Sequence, residues 1–402
     1  MRSLDTDVLY KGAAPSLPEK NPEALPVYTA SAYAVDDLDD YEFASRGGRY
    51  YYTREVSANK DCAGEVISFL EGGGQTLLTA SGMGAISVTL FGLLAAGDHV
   101  LINKAIYSEV VDITQVFFDK LGIAYDFADF TDIAAVKAAV RPETKMLYTE
   151  VISNPHTNVV DLDAVSAVAK AQGAYLVVDS TFSTPVVIRP LVHGADVVIH
   201  SLTKFMGGHH DLIGGSITAS EEIIGKLWRT YCLLGSCLDP RAAWLLSRSL
   251  KTFVIRVKKQ IDNAEIIAKA LLEDPHVVRV NHPSLPSHPQ HAAAERQFDY
   301  GYGAMLSFEV CCSEREKLNA FFRALKLVKY VGSLGGITTT VTHPRTAFVH
   351  EFGPEKLDEM GLTPNLIRIS AGIEDPQDVI ADIRQALTAL ETMRSCQICV
   401  TG

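Results

Sequence analysis

The chain has 402 residues, of which 47% are hydrophobic and 21% are charged, a composition typical of folded globular proteins. A chain of this length usually folds as more than one domain, so we predict two. The net charge of −12 argues against a nucleic-acid partner, because nucleic-acid-binding surfaces are basic. Since no apolar run approaches the roughly 18 residues of a membrane span and the N-terminus lacks a signal-peptide pattern, we expect a cytoplasmic protein without membrane contact.

The seven cysteines are scattered through the chain, which favours reduced thiols over a disulfide framework. Cys396 and Cys399 form a Cys-x-x-Cys pair near the end of the sequence. Because no second pair accompanies them, they do not complete a zinc site, and we predict no metal centre. The sequence leaves the role of this pair open.

Residues 1–60 mix Pro, Asp and Tyr without sustained periodicity, which predicts an extended arm with short helical pieces. Within the arm, the stretch Gly47–Arg54 places aromatic residues beside arginines. Such an arm can reach a neighbouring subunit, and a solvated loop is the alternative. The predicted organisation is an arm over 1–60, a large domain over 61–250 and a small domain over 251–402.

The large domain begins with a predicted helix over 63–70 and a strand over 75–80, after which Gly82 and Gly84 open an apolar helix. Glycines at a strand-to-helix turn expose backbone N–H groups at the helix N-terminus, which favours a bound phosphate. Their spacing loosely imitates a dinucleotide fingerprint. A nucleotide-dependent oxidoreductase is nevertheless disfavoured, because no acidic residue ends a second strand about 20 positions later.

The alternation then continues along the chain, with predicted helices at 108–121 and 162–172 and strands at 98–102, 122–127, 145–150, 174–178 and 195–200. Repeated strand–helix units predict a mostly parallel sheet that is covered on both faces. Ligands of such sheets bind at the carboxyl ends of the strands. We therefore expect the functional residues at that edge.

The C-terminal part has a different pattern. It begins with a predicted long helix over 240–272 and a loop over 275–289, followed by strands at 304–310, 327–331 and 366–370 and helices at 314–325 and 377–393. These elements predict a smaller α+β domain.

Two predicted strand ends carry reactive groups. The strand over 195–200 leads into Ser201-Leu202-Thr203-Lys204, and the strand over 174–178 ends at Asp179. If these strands are parallel neighbours, Asp179 and Lys204 share one crevice. A Schiff-base lysine with an acidic partner for a pyridinium nitrogen is typical of pyridoxal phosphate enzymes. A surface lysine in a hydroxyl-rich loop is the alternative for Lys204.

The stretch Ser201–His209, together with Val177–Phe182 before it and Ser333–Gly336 after it, resembles the pyridoxal 5′-phosphate-dependent transsulfuration enzymes of cysteine and methionine metabolism. The resemblance covers about residues 26–390. It implies an α/β protein of fold type I, the aspartate aminotransferase-like fold, with a mostly parallel sheet in the large domain and a smaller C-terminal α+β domain. It also implies a homotetramer, a dimer of dimers with shared active sites.

The resemblance assigns roles around the cofactor. Lys204 binds pyridoxal 5′-phosphate covalently and shuttles protons, which a desolvated lysine of lowered pKa does near neutrality. Asp179 pairs with the pyridine nitrogen, Tyr107 stacks on the ring and assists proton transfer, and Asn154 lies near the ring hydroxyl. The phosphate ligands that the resemblance implies are the Gly82 and Met83 N–H groups, the Ser201 and Thr203 hydroxyls and, from a neighbouring subunit, Tyr52 and Arg54.

The resemblance also assigns a substrate pocket. Arg368 binds the carboxylate of an amino-acid substrate, because its planar guanidinium suits bidentate contact, and Ser333 and Tyr52 lie close by. Each residue has a plain alternative when taken singly. Tyr107 could pack in the core, Arg368 could form an ion pair, and Asn154 could form a turn before proline.

Several positions depart from the family's patterns, and three of them bear on the substrate. Thr338 stands where cystathionine γ-lyases and γ-synthases carry a glutamate, which weakens the case for a substrate with a distal ammonium group. Glu109 either supplies that carboxylate from the other wall or is polar lining. Leu334 replaces the tryptophan of many bacterial β-lyases, which disfavours β-elimination.

The sequence therefore predicts γ-elimination, the cleavage of a Cγ–heteroatom bond in a methionine- or cystathionine-like amino acid, giving a 2-oxo acid and ammonia. The alternative is γ-replacement on an O-acylhomoserine by a thiol or another nucleophile, as in cystathionine γ-synthase or O-acetylhomoserine sulfhydrylase. A non-catalytic cofactor-binding protein is disfavoured, because it has no need of Lys204, Asp179 and Arg368 together.

Overall fold

A computed structural model of the chain describes residues 3–11, 23–349 and 353–391. Cys396 and Cys399 lie outside the described residues, as does the end of the helix predicted over 377–393. The chain divides into two compact units, Met1–Val151 with Val160–Ile255 and Ile152–Val159 with Arg256–Gly402. Each helix of the described residues is too short or too polar to cross a membrane.

The first unit contains most of the helices. Its α-helices are α1 Leu4–Tyr10, α2 Leu38–Phe43, α3 Ala58–Glu71, α4 Gly82–Leu93, α5 Ser108–Ile113, α6 Asp119–Leu121, α7 Ile133–Ala139, α8 Leu162–Gln172, α9 Thr184–Val187, α10 Glu221–Leu234 and α11 Pro240–Leu250. Two π-helical turns, Ala44–Gly48 and Thr114–Phe118, continue α2 and α5. The helix predicted over 108–121 is therefore interrupted by a π-turn.

The strands of the first unit form a seven-stranded sheet within the described residues, in the order β1-β7-β6-β5-β4-β2-β3. They are β1 Gln75–Thr79, β2 His99–Asn103, β3 Ala124–Ala128, β4 Thr144–Glu150, β5 Tyr175–Asp179, β6 Val197–Ser201 and β7 Gly215–Ala219. Strands β2 to β6 are mutually parallel where they pair, which confirms the mostly parallel sheet. Strand β7 was missed by the sequence analysis, and it runs antiparallel to both β1 and β6.

The second unit has its own sheet and core. Within the described residues, its five-stranded sheet has the order β10-β11-β12-β9-β8, built from β8 Val277–Asn281, β9 Met305–Val310, β10 Lys329–Tyr330, β11 Thr340–Thr342 and β12 Leu366–Ser370. The helices are α12 Phe253–Leu272, α13 His291–Gln297, α14 Arg315–Ala324, α15 Pro344–Ala347, α16 Pro354–Glu359 and α17 Pro376–Leu387, with a 3-10 turn at Thr388–Leu390. This α+β arrangement agrees with the prediction.

Two predictions for the C-terminal part were wrong. The helix predicted over 240–272 is two helices, because α11 ends at Leu250 and α12 begins only at Phe253. The loop predicted over 275–289 contains strand β8, which pairs with β9. The prolines and histidines of that stretch lie mainly after the strand, so their abundance concealed the short apolar run of β8.

Helix limits in the first unit follow from local capping. Helix α8 begins where the Asp161 carboxylate accepts a hydrogen bond from Ala164 N at 3.1 Å. It ends at Gly173, whose φ of 68° is a left-handed conformation that glycine adopts without strain. Both signals are visible in the sequence, which explains why the predicted limits of this helix are correct.

Candidate active site

Strands β5 and β6 are parallel neighbours, and Asp179 lies beside Ile199 in their register. Asp179 is the last residue of β5, and Ser201 is the last residue of β6. Lys204 lies in the turn that follows Ser201. The predicted placement of these residues at adjacent strand ends, at the carboxyl edge of the sheet, is therefore observed.

The turn that carries Lys204 is closed by backbone hydrogen bonds. Lys204 N donates to Ser201 O at 3.1 Å, and Gly208 N donates to Lys204 O at 2.7 Å. A Cβ atom on Gly207 would lie 2.6 Å from Leu202 O, so this position requires glycine. The glycine pair therefore allows a compact turn, which fixes the backbone of a half-buried lysine.

The Asp179 carboxylate is withdrawn from water. Burial raises the pKa of Asp179, while hydrogen bonds from Thr181 and the positive field of His200 oppose that rise. Thr181 N donates to Asp179 Oδ1 at 2.9 Å. A carboxylate in such a place is stabilised by a positively charged ligand group, and a protonated pyridine nitrogen is one.

Thr181 also contacts the neighbouring strand, a role that the sequence analysis did not give it. Its hydroxyl oxygen accepts a hydrogen bond from Ser201 N at 2.9 Å, while its own amide donates to Asp179. Thr181 thus joins the ends of β5 and β6. The only sequence signal for this contact is a hydroxyl residue just beyond a strand that ends in aspartate.

The N-terminus of α4 is a candidate anion site next to Ser201. The first helical backbone bond runs from Ala85 N to Ser81 O, so the amides of Gly82 and Met83 precede it and point out of the helix end. A Cβ atom on Gly82 would lie 3.1 Å from Ser201 Oγ, which is closer than most contacts of Cβ atoms in proteins. Glycine therefore lets the helix end approach the serine hydroxyl, as a phosphate cradle requires.

The Thr203 hydroxyl is already engaged within the chain. Its Oγ1 accepts a hydrogen bond from Gly214 N at 3.2 Å and lies 3.4 Å from Gly214 O. These contacts fix the turn between β6 and β7. The predicted phosphate contact of Thr203 would therefore be made by a hydroxyl that also serves this turn.

Tyr107 is the N-cap residue of α5 and is 38% exposed. Its backbone N–H donates to Glu150 Oε1 at 2.8 Å. Glu150 is 7% exposed and ends β4, where it lies beside Asp179 in the sheet register. Glu150 was not among the predicted site residues, although an acidic residue at the carboxyl end of a predicted parallel strand was a signal for it.

Tyr52 and Arg54 lie together in the arm. The Arg54 guanidinium carbon is 5.2 Å from the centre of the Tyr52 ring, and Arg54 Nη1 donates to Cys232 O at 2.7 Å. The Lys60 ammonium donates to the carbonyl oxygens of Arg54 and Glu55, at 3.1 and 3.0 Å. The arm therefore presents a partly exposed tyrosine and arginine on a backbone that Lys60 holds in place.

The second unit holds Arg368 in strand β12. The guanidinium donates from Nη1 to Asn154 Oδ1 at 2.9 Å and from Nη2 to Ser333 O at 3.4 Å. Arg368 is 7% exposed, and burial lowers the pKa of its guanidinium to about 10. The structure thus brings together three predicted residues, which suit a site for a carboxylate.

The three departing positions occupy different environments. Thr338 is exposed, Leu334 is buried at 4% exposure, and Glu109 is half-buried in the first turn of α5. Thr338 and Leu334 belong to the same segment as Ser333, in the second unit. Their roles in substrate selection remain predictions.

The groups of the first unit fit pyridoxal 5′-phosphate. The N-terminus of α4 and Ser201 offer N–H and hydroxyl donors for a phosphate, Asp179 is a half-buried carboxylate that a pyridinium would neutralise, and Lys204 is an amine in a hydrogen-bonded turn. Among the described residues, no cluster of His, Cys, Asp or Glu could hold a metal ion.

Comparisons with known proteins agree with this chemistry. The model of a family described as Cys/Met metabolism PLP-dependent enzyme matches residues 5–388. The cystathionine beta-lyase of Lactococcus lactis subsp. cremoris is 33% identical over 389 residues, which cover 96% of this chain and 99% of the relative. The L-methionine gamma-lyase of Fusobacterium nucleatum subsp. polymorphum is 34% identical over 369 residues, which cover 90% and 93%.

A solved structure has the same fold throughout. The crystal structure of cystathionine gamma synthase from Xanthomonas oryzae pv. oryzae, in complex with aminoacrylate and cysteine, is similar with a TM-score of 0.91 and 32% sequence identity. The similarity covers 97% of this chain and 99% of that one. The similar proteins thus include a β-lyase, a γ-lyase and a γ-synthase.

Proposed function

This chain belongs to the pyridoxal 5′-phosphate-dependent enzymes of cysteine and methionine metabolism, and from that premise we propose that it is a carbon–sulfur lyase acting at Cγ of a methionine- or cystathionine-like amino acid. With methionine, the overall reaction would consume one water and release methanethiol, 2-oxobutanoate and ammonia. The fold type and the cofactor predicted from the sequence are confirmed by the family and by the structural similarity.

Each proposed role rests on a group described above. Bound pyridoxal 5′-phosphate supplies a ring that delocalises the negative charge left on a substrate carbon after loss of a proton. We assign proton transfer to Lys204 Nζ, with assistance from Tyr107, and charge pairing with the ring nitrogen to Asp179. Arg368, oriented by Asn154 and Ser333, is assigned to the substrate carboxylate.

One observation favours an uncharged distal side chain in the substrate. The segment that begins at Ser333 has a threonine at position 338, where a glutamate would supply a carboxylate. The carboxylate of Glu374 contacts this segment, but it already accepts two hydrogen bonds from Thr339. A distal ammonium group would gain no free carboxylate from this segment. Methionine therefore fits the proposal better than cystathionine.

γ-Replacement is the second candidate, and the similarity to a cystathionine gamma synthase favours it. In that reaction a nucleophile adds to the substrate after departure of the γ-substituent, so the same groups would act. Elimination and replacement differ in water access and acceptor binding. β-Elimination, the reaction named for one relative, is disfavoured by Leu334 on the argument given from the sequence.

The test is to identify the 2-oxo acid formed by the purified holoenzyme. We expect 2-oxobutanoate from methionine without an added thiol. From cystathionine, γ-cleavage would give 2-oxobutanoate and β-cleavage would give pyruvate, so the same assay separates the two positions. Product formed only from O-acylhomoserine plus a thiol would reject elimination and support replacement.

We further propose that the active site is shared between subunits of a dimer, two of which form a tetramer, with Tyr52 and Arg54 contacting a neighbour's phosphate. The partial exposure of both side chains supports this role. Mixing inactive Arg54→Ala and Lys204→Ala proteins under subunit exchange should restore activity, because some sites would receive both intact residues. Persistent inactivity of hybrids that demonstrably form would contradict the shared site.

A further inference from the structure

The segment Ser333–Thr339 of the second unit is held in place by side chains that lie far from it in the sequence. Gln260, in helix α12, donates from Nε2 to Gly336 O at 2.7 Å and to Ala371 O at 2.9 Å. One amide group therefore joins the middle of the segment to the residue that follows strand β12. Both of its N–H donors are used in this contact.

Within the described part of the chain, the orientation of the Gln260 side-chain amide leaves its carbonyl oxygen without a hydrogen bond. The residue is fully buried, and its Oε1 atom has no hydrogen-bond partner among the described residues. A buried carbonyl without a partner is unfavourable, so the two N–H contacts must determine the orientation of the amide.

Glu374 holds the other end of the segment. Its carboxylate accepts hydrogen bonds from Thr339 N at 2.6 Å and from Thr339 Oγ1 at 2.9 Å. Thr339 Oγ1 in turn accepts from Gly372 N at 2.9 Å. A Cβ atom on Gly372 would lie 2.5 Å from Thr339 N and from Ile337 O, which shows how closely the segment packs on this backbone.

The start of the segment contacts Arg368. The Ser333 carbonyl oxygen accepts from Arg368 Nη2 at 3.4 Å, and Gly335 N donates to Ser370 Oγ, in the same strand as Arg368, at 2.8 Å. A shift of the segment would therefore displace one of the acceptors that orient the guanidinium.

We propose that Gln260 and Glu374 are positioning residues for substrate binding, which hold Ser333–Thr339 against the end of β12 and thereby orient Arg368 for a carboxylate. The inference rests on the proposed role of Arg368 as the ligand of the substrate carboxylate. It predicts a loss of substrate affinity, with the cofactor and the chemical step preserved, because Lys204 and Asp179 belong to the other unit.

The test uses the holoenzyme with four variants. Gln260→Leu removes both N–H donors at similar volume, Glu374→Ala removes both acceptors, and Glu374→Gln keeps an acceptor for Thr339 N and offers a donor to Thr339 Oγ1. Glu273→Ala, at an exposed position just after α12, is the matched control. Steady-state kinetics give KM and kcat, and the visible absorption of the bound cofactor is titrated with L-norleucine, which resembles methionine but lacks a γ-leaving group.

For Gln260→Leu and Glu374→Ala we expect KM and the norleucine dissociation constant to rise about tenfold, with kcat within about threefold of the wild type and an unchanged cofactor band. Glu374→Gln and Glu273→Ala should stay within about twofold. Unchanged norleucine affinity in either folded variant, or equal impairment of Glu374→Gln and Glu374→Ala, would overturn the inference.

If Gln260→Leu fails to fold, the two Glu374 variants decide the question, because Glu374 is only half-buried. The norleucine titration keeps this inference separate from the proposed activity, since binding is measured whether or not methionine is cleaved. A wild-type enzyme that binds norleucine without cleaving methionine would count against the lyase reaction alone.

Discussion

The two units hold their candidate functional groups by different means. In the first unit, Lys204 and Asp179 are placed by strand ends and by backbone hydrogen bonds of tight turns. In the second, Arg368 is oriented by Asn154 and by a segment that Gln260 and Glu374 hold through their side chains. Outside the turn glycines and Thr181, backbone placement in the first unit depends little on neighbouring side chains, whereas a side-chain network transmits each substitution to the arginine. We therefore expect mutations in the two units to affect different kinetic constants.

The largest effect is expected for Lys204→Ala. Loss of both the covalent cofactor contact and the proton carrier should lower kcat by about a thousandfold or more, while the circular dichroism of the protein stays unchanged. Lys137→Ala, at an exposed position in α7, is the control and should retain full activity. Near-normal turnover by Lys204→Ala would refute the assignment of this residue.

Arg368→Lys should have the second-largest effect, and we expect it to change KM rather than kcat. A lysine cannot make the paired contacts of a guanidinium, so we expect KM to rise by about tenfold to a hundredfold while the cofactor absorption stays constant. Arg323→Lys, on the exposed side of α14, provides the control. A loss of cofactor instead of substrate affinity would show that the two units do not divide the work as described.

Asp179→Asn separates cofactor binding from stability. The holoenzyme should lose cofactor affinity, because the asparagine cannot neutralise a pyridinium. Since the pKa of Asp179 is raised in the folded state, the folded apoprotein holds its proton to higher pH than the unfolded chain does. The stability contribution is therefore full at acid pH and falls as pH rises through the folded pKa.

An asparagine at position 179 does not titrate, so it adds no pH dependence to the free energy of unfolding. The free energy of unfolding of the Asp179→Asn apoprotein should thus increase relative to that of the wild type as pH rises from acid towards neutrality. Urea unfolding of both apoproteins across that range measures the difference. If the free energies of unfolding of the two apoproteins changed equally with pH, ionisation of Asp179 would not destabilise the folded apoprotein.

The smallest effect is expected at Glu150. Glu150→Ala should remove the acceptor of the Tyr107 amide and lower kcat about threefold, whereas Glu150→Gln keeps an acceptor and should restore most of it. Kinetics of both variants, with the cofactor spectrum as a check on Tyr107 stacking, make the comparison. Equal loss in the two variants would point to charge rather than to the hydrogen bond.

The sequence predicted the first unit well for physical reasons. Parallel strands have continuous apolar runs, and turns such as the one around Gly207 need residue types that stand out in a sequence. Strand β7 escaped because Gly215–Ala219 is short and polar in part, and its antiparallel pairing depends on β1, far away in the chain. The break between α11 and α12 escaped because no glycine or proline marks it.

The second unit was less predictable. The resemblance to a known family predicted the roles of Arg368 and Ser333. It did not predict their connection to Gln260 and Glu374, because hydrogen bonds between residues more than 30 positions apart leave no local sequence pattern. Asn154, 214 residues before Arg368, is a further case. Contacts of this kind depend on tertiary packing, which cannot be predicted from hydrophobic periodicity in the sequence.

The antiparallel strand β7 has a consequence for the order of folding. Among the described strands, β1 joins the sheet only through β7, so residues 75–79 can pair only after residues 215–219 have been synthesised. Helix α4 follows β1, and its N-terminus lies against Ser201 at the proposed phosphate site. Pairing across so long a loop is slow, because its closure entropy is lost before the contacts form. We therefore expect the capacity to bind the cofactor to be acquired late in the folding of the first unit.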